Sequence, residues 1–334
     1  MEKIRGVNLG GWFVLEKWMK RDLFTGVSGP DETVFCLEKE NPELALKVHW
    51  DSFITEADFK YLASIGINSV RIPIPWWLFG EVKPYYRSVE YIDKALDWAN
   101  KYHLEVLLDL HTAPGCQNGF DNGGITGVIG WPTSQENIDL TVNILERIAL
   151  RYHKHPALWG FEVLNEPHFS IDIKLIQDFY RKSYEVIRKH TNKTIVFHDS
   201  FRPEDASWKQ FFEALDNVCF DLHLYHCFDE KIANGNIYEQ IKTILARKNL
   251  ISELSAFTRV IIGEWSLGLR ENVFENLDDF NRNLVYKCLA DVQLSVYETG
   301  FGWYFWSYKI DSSSFSAWDF ARLIKAGILP DNYK

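Results

Sequence analysis

Two glutamates close two apolar, strand-like runs. Glu166 ends the segment Leu158 to Glu166, LWGFEVLNE, and 98 positions later Glu264 stands near the end of Val260 to Trp265, VIIGEW. Two carboxyl groups can break a glycosidic bond: one protonates the leaving oxygen while the other attacks or stabilises the sugar carbon. A lone acidic residue after a strand more commonly caps the next helix. The pair becomes chemistry only if the fold brings both ends to one face, as a (β/α)₈ barrel does with sequence-distant strands.

The chain carries the elements for that. Runs rich in β-branched and aromatic residues recur at Ile4 to Leu9, Ile67 to Ile74, Glu105 to His111, Leu158 to Leu164, Thr194 to His198, Cys219 to Tyr225, Val260 to Glu264 and Phe301 to Trp306. These are eight candidate strands. Between the second and third, Tyr91, Ile92, Ala95, Leu96 and Ala99 repeat at three-and-four spacing, an amphipathic helix. Gln135 to Tyr152, Asp172 to His190 and Phe274 to Thr299 read the same way. Near-continuously apolar strands alternating with helices indicate a parallel sheet covered by helices. Eight such units predict a single (β/α)₈ TIM barrel spanning residues 1–334, with no Pro- or Ser-rich linker to divide it. An open nucleotide-binding sheet would want GxGxxG after its first strand, and GVNLGGW lacks that spacing. Two long irregular stretches, Lys17 to Lys39 and the Gly-rich His111 to Pro132, follow strands, on the face where a barrel keeps its site.

Strand parity sorts the remaining polar residues. Cys219, Asp221, His223 and Tyr225 share one face of the sixth strand and would point inward, His223 and Tyr225 nearest the exit. A metal site from Cys219, His223, His226 and Cys227 fails, because these residues point in opposite directions. Leu107, Asp109 and His111 share a face of the third strand. Arg71, in VRIPIPWW, needs an acidic partner if buried. It is either a structural ion pair deep in the barrel or a cation that keeps a nucleophilic carboxylate ionised and aimed.

Composition narrows the partners. A net charge of -10, from 36 basic and 46 acidic residues, argues against nucleic acid. No stretch approaches 18 uninterrupted apolar residues, so no membrane span is expected. Aromatics reach 15%, with 13 Trp, more than packing usually demands, and flat rings suit the C–H faces of pyranoses. The beginning MEKIRGVNLGGW shows no signal-peptide core, which suits a cytoplasmic protein, or a secreted one if a leader precedes it. Five cysteines without close-spaced pairs fit a reduced compartment, where the Asn192-Lys193-Thr194 sequon has little weight.

The stretches GVNLGGWFVLEKWM, HWDSFITEADFKYLASIGINSVRIPI, DLHTAPGCQNGFDNGG, FEVLNEP, HLYHCF, GEWS and GWYFWSYK span residues 6 to about 309. With them the chain resembles glycoside hydrolase family 5, and more narrowly its exo-β-1,3-glucanase branch. NEP and GEW on suitable strands carry the family, and GCQNGFDN after DLH carries the branch. The resemblance implies Glu166 as general acid/base and Glu264 as nucleophile. It implies Asn165 on the sugar 2-hydroxyl, Arg71 and Tyr225 orienting Glu264, and His111 and His223 lining the subsite of the cleaved sugar, with Trp306 as its floor. Glu16, Asp121 and Asn122 match positions that hold terminal glucose hydroxyls, and Phe120 and Phe228 a pair gripping the next sugar at the mouth. For Trp306, Phe120 and Phe228 the alternative is core packing.

The reaction expected is double displacement with retained configuration, by a monomer needing no metal or organic cofactor, on a β-glucan. Repulsion between the two carboxyl groups should leave Glu166 holding a proton in the free enzyme. Two departures bear on linkage rather than reaction: Cys116 stands where the branch more often has serine, and Leu267 to Asn272 is short. An endo-β-1,4-glucanase or a β-glucosidase for small glucosides is the alternative within the family, since loops decide specificity. A pocket closed by the GCQNGFDN loop and the Glu16 segment would favour exo action. From another class, a non-catalytic sugar-binding barrel would be expected to lack Asn165, Glu166 or Glu264, and all three are present.

Overall fold

The structure is a computed structural model describing residues 3–311 and 313–334, with the side chains of 313–315 not described. Met1 and Glu2, the start of the segment read for a leader, lie outside the described residues. Eight parallel strands close a barrel in sequence order: β1 (Ile4–Asn8), β2 (Ser69–Ile74), β3 (Glu105–Leu110), β4 (Leu158–Glu162), β5 (Thr194–His198), β6 (Val218–His223), β7 (Arg259–Trp265) and β8 (Gly302–Phe305). Six of the predicted runs contain one of these strands; Cys219 to Tyr225 overlaps β6, which starts one residue earlier, and Val260 to Glu264 lies within the longer β7. Several strands stop short at the exit, because the last residues of each run turn their backbones into the site loops.

Helices cover the outside, and their buried faces follow the expected spacing. In Gln135–Tyr152 the buried positions include Ile138, Thr141, Leu145, Ile148 and Tyr152, and the Ser134 side chain caps the start by accepting from Asn137 N–H. Each such Leu or Ile taken from water contributes about 1.5–3 kcal/mol. The helix expected from Phe274 begins only at Asp279 (Asp279–Tyr297), because Asn276 adopts a positive φ of 61° and Asp278 supplies the cap. Glu32–Glu38, inside the stretch read as irregular, is a short helix capped by Asp31. Ile237–Ser255, a 19-residue helix opened by an Asn236/Glu239 capping box, was not anticipated: it sums to little one-sided apolarity because the polar residues Gln240 and Arg247 interrupt its inner face. Among the described residues no helix is long and apolar enough to cross a membrane.

The barrel interior is layered. Its floor is Ile4, Leu107, Trp159, Val196, Cys219, Ile261 and Tyr304. Above it the inward positions turn polar: Asn8, Arg71, Asp109, Glu162, His198 and Asp221, all fully buried. Gly263 lets this layer close, since a Cβ there would sit 2.0 Å from Asp221 Oδ2, and its bare N–H donates to Asp221 Oδ1. The mouth residues stand on top.

Candidate active site

Glu166 and Glu264 meet at the carboxyl end of the barrel. His223, the inward residue at the end of β6, spans them: its Nδ1 lies 2.8 Å from Glu166 Oε1 and 3.4 Å from Glu264 Oε2. The nearest oxygens of the two acids are therefore no further apart than these two contacts laid end to end. Glu166 follows β4 by four residues and has a positive φ of 43°, a strained backbone that sets the carboxyl into the mouth. Glu264 stays within β7, in a register shift opposite His223.

Arg71 is the frame beneath them. From β2 its Nη1 donates to Glu264 Oε1 at 2.9 Å and to Asn8 Oδ1 at 2.9 Å, its Nε to Glu162 Oε2 at 2.7 Å, and its Nη2 to Asn165 Oδ1 at 2.8 Å. Asp109 Oδ2 is 3.1 Å from Nη2. Arg71 pairs with Glu162 deep in the barrel and also grips Glu264. Burial works against its charge, and Asp109, Glu162 and Glu264 outweigh that, raising its pKa. Replacing Arg71 by Met would leave several buried acids uncompensated, so a loss of about 3–5 kcal/mol is expected. A urea-unfolding midpoint equal to that of the wild type would refute this.

Tyr225 OH donates to the other oxygen of Glu264 at 2.7 Å. The backbone of this turn is held from outside, where Arg247 Nη1 and Nη2 donate to Leu224 O and Tyr225 O. Burial and the Arg247 charge push His226 down to about 3, so the neutral ring accepts from Arg247 Nη1 at 2.7 Å. His226 thus faces away from His223, as strand parity required.

His111 lies over Trp306, ring centroids 5.5 Å apart at 9°, and its Nδ1 is hydrogen-bonded to Asp109 Oδ2. Asn165 offers Nδ2 toward His111 Nε2 at 3.4 Å. Gly10 makes room for Trp306, because a Cβ there would come 2.8 Å from its ring. Glu16 accepts from Trp18 Nε1 on Oε2, while its buried Oε1 has no protein partner. Burial first, and Asp121 next, raise the Glu16 pKa. The turn Asp121–Gly123 aims the Asn122 Nδ2 at Glu166 Oε2, 2.8 Å away, and its Oδ1 accepts from Asn118. Phe120 and Phe228 are both exposed, but not in ring contact with one another: Phe120 packs on His168, and Phe228 on Tyr225 and Trp318.

Three titratable groups of the site shift one another. Burial raises Glu166, but the hydrogen bond and charge of His223, then Asn122, bring it below the usual carboxylate value. Burial keeps Glu264 above that value despite His223 and Arg71, with the Glu166 charge adding to the rise. Burial opposes charge on His223, yet Glu264 and Asp221, with the Glu166 hydrogen bond, raise it well above the ordinary imidazole range. These directions favour the proton on the His223 side of its hydrogen bond to Glu166. Among the described residues, two trios bring their possible ligand atoms within 4.8 Å, Glu166–His198–His223 and Glu162–Asp221–His223, and His223 belongs to both.

One side of the mouth is walled. Glu16 and Asp31 form a β-bridge, Thr126 N–H donates to Asp31 Oδ2 at 2.9 Å, and Thr33 N–H donates to Gly124 O at 3.3 Å. The loops after β1 and β3 are thus zipped together. Several residues of the site were not singled out from sequence. Asn8 and Glu162 were legible by the parity argument applied to β1 and β4, whereas Trp18, Trp318 and Arg247 come from loops and a helix with no such signal.

Barrels that hold a carboxyl pair in this way at the strand ends form the class of barrel glycoside hydrolases. The model of the cellulase family (glycosyl hydrolase family 5) matches residues 37–312, and the chain belongs to that family and is a glycoside hydrolase. It is 34% identical to a glucan 1,3-beta-glucosidase of Pichia angusta, covering 98% of this chain and 86% of that protein. It is 31% identical to glucan 1,3-beta-glucosidase 1 of Schizosaccharomyces pombe, covering 99% and 89%. A rutinosidase structure from Aspergillus niger superposes with a TM-score of 0.85 at 21% identity, covering 98% of this chain and 97% of that one, a likeness of fold.

Proposed function

We propose that this enzyme releases glucose from the non-reducing end of β-1,3-glucans by double displacement, acting as a monomer. The observation that carries the mechanism is the single imidazole nitrogen reaching both Glu166 and Glu264. It holds the acids closer than the roughly 6.5–9.5 Å of inverting enzymes and suits the roughly 5–5.5 Å of retaining ones. Glu264, gripped by Arg71 and Tyr225, attacks the anomeric carbon while Glu166 protonates the departing oxygen, and Glu166 then activates water. The proton Glu166 donates arrives from His223 along their 2.8 Å hydrogen bond. Asn165 Nδ2 meets the 2-hydroxyl, Trp306, His111 and His223 enclose the sugar ring, and Glu16 with Asp121 receives the terminal hydroxyls. Asn122 steadies Glu166, and Phe120 and Phe228 flank the next sugar.

Two observations support the linkage and the exo mode: the names of the relatives at 30–34% identity, and the joined loops after β1 and β3, which wall one side of the mouth. The test is glucose release from a β-1,3-glucan, a β-1,4-glucan and an aryl β-glucoside, with proton NMR of the first product. Glucose as sole early product, in the β form and fastest from the β-1,3-glucan, is expected. Early α-glucose would refute double displacement, and longer oligosaccharides as first products would refute exo action.

The pH profile of kcat/KM should be a bell with both limbs set by this trio. Activity falls on the acid side as Glu264, raised by burial, takes up a proton. It falls on the alkaline side as the proton shared by His223 and Glu166 is lost. In His223→Asn the alkaline limb should move down and the acid limb up, narrowing the bell from both sides. A bell of unchanged width would contradict this role.

A further inference from the structure

Beyond Glu166 the chain reads Pro167-His168-Phe169, with His168 half-buried and Phe169 in the open. Phe169 is 57% exposed and packs on His168, with centroids 4.1 Å apart at 32°. His168 in turn turns edge-on to Phe120, 39% exposed, at 5.9 Å. The three rings form one continuous row starting at the pocket mouth. Leaving a phenylalanine ring in water forgoes the burial that normally stabilises it, and apolar surface continuous with a binding site commonly marks its extension.

The row is rigid. His168 N–H donates to Gln117 O at 3.2 Å, Ser200 Oγ donates to Pro167 O at 2.8 Å, and Ile171 N–H donates to His168 O at 3.0 Å. Gln117 is itself fixed: it accepts from Ala113 N–H and donates to His111 O and Asn165 O. The loops after β3, β4 and β5 therefore hold this stretch in place before any ligand arrives, which reduces the ordering cost of binding. His168 Nδ1 accepts from Ser170 N–H at 3.2 Å. In the neutral ring the proton then sits on Nε2, a donor between two apolar faces. A flat apolar face with one hydrogen-bond donor matches a pyranose, with its C–H face and ring of hydroxyls.

We propose that His168 and Phe169 extend from Phe120 a platform for the leaving-group side of the glucan, binding glucosyl units beyond the one next to the cleaved bond that Phe120 flanks. This rests on Glu166 as the acid, because the group it protonates departs on its own side. The platform makes chain length a determinant of rate: a trimer or tetramer reaches Phe169, and a disaccharide or aryl glucoside does not.

The test is kcat/KM for wild type, Phe169→Ala and Phe169→Tyr on an aryl β-glucoside and on β-1,3-linked glucose oligomers of two to five units. Wild type should gain with length up to the trimer or tetramer. Phe169→Ala should lower the tetramer-to-dimer ratio of kcat/KM about fivefold, the scale of one ring contact, and Phe169→Tyr should restore it. Equal losses on every length, or no loss on the tetramer, would overturn the platform. A wild type active on these oligomers with no length dependence would overturn the platform alone. A wild type that cleaves the aryl glucoside and none of the β-1,3 oligomers would overturn the proposed linkage, a distinct result.

Discussion

Replacing Glu264 by glutamine is expected to lower kcat by about 10⁴-fold or more, the order seen when a covalent nucleophile is removed. The amide keeps the size of the carboxyl and can still accept from Arg71 Nη1 or Tyr225 OH through its oxygen, so the pocket should retain its shape. Binding of a glucan oligomer, followed by calorimetry, should therefore survive the loss of turnover. That separation identifies a group acting on the reacting carbon. A variant retaining more than a tenth of the wild-type rate, in a preparation free of wild type, would remove Glu264 from the nucleophile's role.

The second large effect concerns Glu166. Changing it to alanine should cost about 10²–10⁴-fold on a glucan, whose leaving oxygen needs a proton. An aryl glucoside with a good leaving group needs no such help, so its first step should be largely spared and the glycosyl-enzyme should accumulate. Azide, small enough for the space vacated by the carboxyl, should then restore turnover and yield the β-glucosyl azide. Failure of azide to accelerate the variant, or formation of the α-azide, would contradict the acid/base assignment. His223 and Asn122 lose their partner in this variant. A parallel Glu166→Gln variant, which fills the same space and keeps one oxygen to accept from His223 or Asn122, separates local disorder from lost proton transfer.

The eight strands and the parity of their inward residues were readable from the chain because period-two alternation and apolar runs are local properties. Parity on β6 put His223 and Tyr225 inside and His226 outside, and the structure agrees. The helix Ile237–Ser255 was not readable by the same means, since a buried Arg247 serving carbonyls in the turn after β6 breaks the apolar stripe that pattern reading relies on.

What the sequence determined by itself is the order of strands and helices, the barrel they imply, and which polar residues sit at the strand ends. Tertiary structure alone decided three further matters: that Arg71 serves Glu162 and Glu264 at once, that Asn122 turns to Glu166, and that one nitrogen of His223 reaches both Glu166 and Glu264. Each depends on distances between side chains from different strands. Periodicity fixes the direction in which a residue points, whereas hydrogen bonding and charge depend on what it meets across the barrel, and only the closed sheet sets that separation.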